Sequence, residues 1–259
     1  MSSVVETEGT MPDSATTMVV TEPRGPLHPE AAEIVSPQAG RVRVSVVASG
    51  VCNADIGTAA ATGENGCAGV TAFNAIRKAG IRAGGRVAVF GIGGLGHLAV
   101  QFAAALGYET VAIARGGDRE QRARDLGAHE YIDSAAQAPG AALKELGGAD
   151  LIVHTASSTA PVDELLTGLA AHGQLTLVGV DAGSLTVPAV RLVMNGHTLT
   201  GHLTGSPRET EEAMAFAVTT GVRPVIERMP LEQAGEAVTR LRSGAPRFRI
   251  VLGTAVSGG

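Results

Sequence analysis

The sequence predicts an α/β fold built on a doubly wound parallel sheet, and three observations carry the prediction. A β-branched run, Arg86 to Phe90, meets a turn with glycines at Gly91, Gly93 and Gly96 and passes directly into a helical pattern. Further strand-like runs follow near 110–114, 130–133, 150–154, 174–180 and 198–202. Helical patterns near 94–106, 119–126, 139–146, 161–171 and 208–220 fill the gaps. Strands joined by helical crossovers make a parallel sheet with helices on both faces. The segments on either side of this block read as a second, β-rich domain.

In chain order, residues 1–16 mix Ser, Thr, Glu, Gly and Pro without periodicity and are expected to form a disordered leader. Residues 17–66 are expected to form the first part of the β-rich domain. Within it Met18 to Val20 and Ala31 to Val35 are short strand candidates between proline-rich turns, and Arg41 to Ala48 alternates polar and apolar residues as a half-buried strand does. Ser49 to Ile56 reads as a loop entering a short helical piece, and Ala59 to Gly66 is small and turn-rich. The parallel-sheet domain is expected over 67–225. It opens on a helix in which Val70, Phe73 and Ile76 fall at helical spacing and which ends at Gly80. The runs Leu151 to Val153 and Gln174 to Val180 have the largely apolar character of central parallel strands. Residues 226–253 return to the β-rich domain through a helix, Leu231 to Leu241, and a strand, Arg249 to Leu252; the last residues are expected to fray.

Composition excludes several classes of function. The chain has 259 residues, a formal charge of −5 and dispersed arginines, so it lacks the basic footprint of a nucleic-acid binder. No apolar run is long enough to span a membrane, and no basic flank precedes an apolar core at the N-terminus. The expected location is cytoplasmic. Of 20 basic residues all but Lys78 and Lys144 are arginine, a bias typical of high-GC bacterial coding. Cys52 and Cys67 are the only cysteines, and without a secretion signal they are expected to be thiols.

The glycine turn points to a phosphate ligand. Gly91 permits the turn, Gly93 lets backbone approach a phosphate, and Gly96 lets the helix lie close on its strand while its N-terminus faces the anion. The end of the second strand identifies which dinucleotide. A carboxylate there would accept hydrogen bonds from the adenosine ribose; this chain has Ala114, followed by Arg115, with Arg119 nearby. Ala114 leaves room for a 2′-phosphate and the guanidinium groups supply cationic donors. NADP(H) is the expected cofactor. The alternative is that Arg115 is simply a solvated residue at a strand end.

The stretches SGVCNAD, CAGVTAFNAIRKAG, VAVFGIGGLGHLAVQFAAALG, DLGAHEYID, LTLVGV and PRFRIVL resemble the medium-chain, zinc-dependent alcohol dehydrogenase family, particularly its NADPH-using bacterial branch. The resemblance covers residues 17–58 and 67–253. It implies a Rossmann domain for the cofactor and a β-rich, GroES-like catalytic domain for zinc and substrate, and by that comparison the β-rich second domain is reduced and incomplete here, most of its middle being absent. It implies further that the backbone of Gly94 and Leu95 faces the pyrophosphate and that Arg249 reaches it. Thr155, Val178, Gly179 and Val180 should line the nicotinamide side, with Thr71 nearby. Cys52 and Cys67 sit where the family keeps its first and last catalytic zinc ligands.

Departures from the family are equally specific. A catalytic zinc site wants three protein ligands and an open position. The family takes its third from a Gly-His-Glu segment between the two cysteines, and no histidine lies between Cys52 and Cys67 here. The zinc site is therefore incomplete, and the zinc lost or weakly held. Ala54 replaces the hydroxyl residue that relays the substrate proton, and Asp55, which matches a carboxylate orienting the ligand histidine, lacks that partner. Three readings follow: an NADP(H)-dependent oxidoreductase acting on an alcohol or carbonyl of unknown identity; an NADP-binding pseudoenzyme or partner subunit without redox turnover; or a truncated form of such an enzyme, its internal gap not being natural. The catalytic residues are left unassigned. His97, His154 and His202 are read as structural rather than metal-binding. A homodimer is expected by continuation of the large sheet through its last strand, placed near Arg223 to Glu227.

Overall fold

The computed structural model describes residues 14–22, 25–38, 43, 44, 46, 48–51, 68–179 and 183–253. Cys52, Ala54, Asp55, Cys67 and Val180 lie outside these residues. The chain divides into two compact units, one of residues 65–226 with 247–249, the other of residues 1–64, 227–246 and 250–259.

The larger unit holds a six-stranded parallel sheet. Its strands are β4 (Arg86–Phe90), β5 (Glu109–Ala114), β6 (Glu130–Asp133), β7 (Ala149–His154), β8 (Leu169–Leu177) and β9 (Thr198–Gly201), in the spatial order β6-β5-β4-β7-β8-β9. The order reverses between the neighbouring strands β4 and β7, which is where such sheets open a crevice at their carboxyl ends. Alternation of side chains across each strand divides the core in two. Val87, Val89, Ala112 and Val153 face one layer with Phe73, Ile76, Leu98 and Phe102. Ala88, Val111, Ile113 and Ile152 face the other with Leu143, Leu165 and Leu166. Helices thus cover both faces, as the apolar strands demand. They are α1 (Ala68–Arg77), α2 (Gly96–Ala105), α3 (Glu120–Asp125), α4 (Pro139–Glu145), α5 (Val162–Leu166), α6 (Ala189–Asn195) and α7 (Pro207–Thr220). A capping box starts α7: the Ser206 hydroxyl accepts from the Glu209 N–H and the Glu209 carboxylate accepts from the Ser206 N–H.

The smaller unit holds β1 (Ser14–Val19) paired antiparallel with β2 (His28–Glu33), and a three-stranded sheet ordered β10 (Ile226–Pro230), β11 (Arg249–Gly253), β3 (Ala48–Gly50). Helix α8 (Ala234–Arg242) buries Ala234 and Ala237 in a small core with Val51, Met229, Ile250 and Leu252.

Six expectations need correction. Ser14 to Thr16 are strand, not leader, because they pair in register with Ala31 to Glu33. The second strand is His28–Glu33 rather than 31–35, and Arg43, Val44 and Val46 carry no strand; the strand there is Ala48–Gly50. The helix expected over 161–171 stops at Leu166, and strand begins at Leu169, where pairing with Ala149 overrides the helical preference of Leu-Ala-Ala. A helix at Ala189–Asn195 was not anticipated; it lies between Pro188 and a left-handed Gly196. Finally, the last strand of the large sheet is Thr198–Gly201, and Ile226–Pro230 belongs to the three-stranded sheet.

Candidate functional site

The site grows from the end of β4. Gly91 adopts φ +92°, a conformation side chains avoid, and a Cβ there would stand 3.0 Å from the Ala156 nitrogen. Its N–H donates to the Ile113 carbonyl at 2.9 Å, and its carbonyl accepts from the Thr155 hydroxyl at 2.5 Å. The turn is thereby tied to both neighbouring strands. A Cβ on Gly96 would overlap the Gly91 carbonyl, so only glycine lets α2 start this close to β4. Gly93 differs: nothing lies within 4 Å of where its Cβ would be. An anion fits over that open backbone, before the positive end of α2.

Around this turn lies an open cleft of about 950 Å³, and Phe90, Gly91, Ala114, Arg115, Arg119 and Glu164 contribute to its wall. Ala114 closes β5 with its side chain buried, and Arg115 and Arg119 follow with theirs exposed. The loop between them is held from β6. Asp133 Oδ1 accepts from the N–H groups of Gly116 and Ala135, both at 2.8 Å, and the Tyr131 hydroxyl donates to the Gly116 carbonyl at 2.6 Å. Those backbone donors, that of Ala135 first, hold the Asp133 carboxyl below its ordinary range. At the far wall Glu164 Oε1 accepts the Gly140 N–H at 2.7 Å, satisfying a free donor at the start of α4.

The structure brings together Gly91, Gly93, Gly94, Leu95, Gly96, Thr155, Arg115, Arg119 and Arg249 at this sheet end. Leu95 caps α2 without a side-chain bond, and a Cβ on Gly94 would lie 3.5 Å from an Arg249 guanidinium nitrogen. Val178 and Gly179 both donate to the His154 carbonyl, which places their backbone beside Thr155. Thr71 is buried on α1. Sequence reasoning missed Tyr131, Asp133 and Glu164. Asp133 and Tyr131 belong to the quoted stretch DLGAHEYID, but their partner Gly116 becomes visible only once β6 is placed beside β5.

His97, His154 and His202 end or follow these strands. His97 is fully buried. Its Nε2 accepts from the Val225 N–H at 3.2 Å, so the proton sits on Nδ1, which donates to the Gly93 carbonyl at 3.0 Å. Burial above all pushes its pKa down to about 4, the Gly93 bond opposing and the Arg249 charge adding to the shift. Both ring nitrogens are used, so His97 is no metal ligand. His154 is buried and stacked on Phe90 with ring centres 5.3 Å apart. Burial, first among the causes, also lowers the pKa of His202, whose N–H donates to the Leu177 carbonyl. Among the described residues no three His, Cys, Asp or Glu side chains are grouped to hold a metal ion.

The family described as zinc-binding dehydrogenase matches residues 94–219. Alcohol dehydrogenase notN of Aspergillus sp. (strain MF297-2) is 46% identical over 186 residues, 72% of this chain and 55% of that protein. An alcohol dehydrogenase of Geobacillus stearothermophilus is 34% identical over 187 residues, again 72% of this chain and 55% of its own. Among solved structures, the alcohol dehydrogenase of Aeropyrum pernix superposes with a TM-score of 0.67 at 30% identity, over 72% of this chain and 55% of that one. The acetophenone reductase of Geotrichum candidum, solved in complex with NAD, shares the fold, with a TM-score of 0.79 at 17% identity over 95% of this chain and 98% of that one. The chain spans about half the length of the curated relatives it matches. Over about 72% of its length it belongs to the medium-chain, zinc-type alcohol dehydrogenase family.

Proposed function

We propose that the chain binds NADP(H) and is an alcohol dehydrogenase-like oxidoreductase that moves a hydride between the nicotinamide and an alcohol or carbonyl compound. The observation that carries the reading is the cleft itself: Gly91 and Ile92 of the glycine turn, Ala114 and the arginines Arg115 and Arg119 line it, with alanine where an NAD site would keep a carboxylate, and the next residue of the turn, Gly93, leaves its backbone open. The nicotinamide, when bound, supplies the hydride chemistry. The chain's own residues bind and orient it. Gly93, Gly94 and Leu95 would receive the pyrophosphate, Arg115 and Arg119 a 2′-phosphate, and Thr155 with Val178 and Gly179 the nicotinamide end.

Membership of a family of alcohol dehydrogenases supports the redox reading. The incomplete cysteine ligand set and Ala54 support the other one, nucleotide binding without turnover. Oxidation of NADPH in the presence of a panel of aldehydes, ketones, quinones and enones, with zinc quantified in the same sample, separates them. Steady turnover with any substrate supports the oxidoreductase; tight NADPH binding with no turnover across the panel overturns it in favour of the second reading.

We also propose a homodimer. Of the two terminal strands of the large sheet, β6 carries Glu130 and Asp133, whereas β9, Thr198–Gly201, carries no charged residue, and the adjacent α6 exposes Val190, Val193 and Met194. No helix among the described residues is long and apolar enough to cross a membrane.

A further inference from the structure

After β10 and α8 the chain re-enters the larger unit for only three residues, Arg247 to Arg249. The middle one is its anchor. Phe248 is 9% exposed, its ring stacked on that of His97 with centres 4.7 Å apart and planes 12° apart. The Arg122 guanidinium lies over the same ring at 5.8 Å from its centre. Backbone ties lead back to the glycine turn: the Phe248 N–H donates to the Val225 carbonyl, the Val225 N–H donates to His97 Nε2, and His97 Nδ1 donates to the Gly93 carbonyl. Arg249 follows directly. Its Cγ and a guanidinium nitrogen would lie 3.7 and 3.5 Å from a Cβ on Gly94, and the Phe248 carbonyl 3.6 Å.

The glycine turn, His97, Phe248 and Arg249 are therefore one mechanically linked set. Arg249 opens β11, which sets its backbone, but its side chain has four rotatable bonds. Without an anchor its charge would sample solvent, and ordering it would cost binding free energy. The stacked ring and the His97 bonds remove that cost beforehand. The charge then meets an anion in a fixed place.

We propose that Phe248 and His97 are positioning residues for nucleotide binding: together they fix Arg249 across the glycine turn so that its guanidinium meets the pyrophosphate. The proposal rests on the cofactor reading above. Neither residue touches the nucleotide; each acts through Arg249 or through the Gly93 carbonyl.

A double-mutant cycle tests it on the full chain, with dissociation constants for NADPH, NADH and adenosine 2′,5′-bisphosphate, the last having no pyrophosphate. Arg249→Ala is expected to weaken both dinucleotides about tenfold, the effect of one charge-assisted bond. Phe248→Leu should weaken both several-fold and leave adenosine 2′,5′-bisphosphate unchanged, and adding it to Arg249→Ala should cost nothing further. His97→Gln, which keeps an acceptor for Val225 but loses the stacked ring, should repeat the pattern if Phe248→Leu fails to fold. Additive losses in the cycle, or equal weakening of adenosine 2′,5′-bisphosphate, would mean a merely structural role and overturn the proposal while NADP(H) binding stands. A parent chain that binds neither dinucleotide removes both readings together.

Discussion

His97 shows how much one side chain contributes here. It is buried and neutral, with its pKa lowered to about 4 from 6.5. Between those values the unfolded chain takes up a proton that the folded chain refuses, so stability falls as pH drops from about 6.5 and levels off below about 4. The expected loss between pH 7 and pH 5 is about 2 kcal/mol, from one shifted group. Urea unfolding of the parent and His97→Gln at both pH values checks it, the variant losing less. The Glu209 carboxyl works over a lower window. Its pKa is depressed to about 2, first by Lys78 and then by Ser206, so its contribution is present above about 4.5 and lost as pH falls toward 2. At the mouth of the cleft, Ala114→Asp should weaken NADPH at least tenfold relative to NADH, since a carboxylate would face the 2′-phosphate. The paired dissociation constants decide it. Gly91 and Gly96 were legible because their own backbone requires glycine. Asp133 and Tyr131 were not, since they act on Gly116 across 17 and 15 residues of sequence.

Strand, turn and helix work as one element around β4 and α2, and two glycine substitutions separate its tasks. Gly96→Ala drives a Cβ into the Gly91 carbonyl and should cost about 2 kcal/mol through overpacking, read as a lower melting temperature. Gly93→Ala meets no protein atom within 4 Å, so melting should be unchanged while nucleotide binding is lost. A Gly93→Ala chain that binds NADPH normally would remove the phosphate from this turn. At this scale the repeating apolar runs and glycine stops made β4 to β7 readable within a residue. The stretch 161–177 was misread because Leu-Ala-Ala favours helix alone and strand only beside β7. Helix α6 was missed because it has no buried face, hence no apolar periodicity.

For the whole molecule, sheet order decides what a partner could reach. β4 and β7 are flanked on both sides, and β9 ends the sheet. Light scattering at micromolar concentration should give twice the chain mass, and Thr200→Lys, placing a charge on that edge, should shift it toward monomer. A monomeric parent chain would contradict the proposed dimer. The reduced β-rich unit was the least legible part, because its short strands pair across long stretches of sequence: Val251 lies opposite Gly50. The central claim concerns the cleft, and fluorescence titration of the full chain with NADPH and NADH tests it most directly. Binding of NADPH at least tenfold tighter than NADH is the predicted result; tighter binding of NADH, or binding of neither, would contradict it.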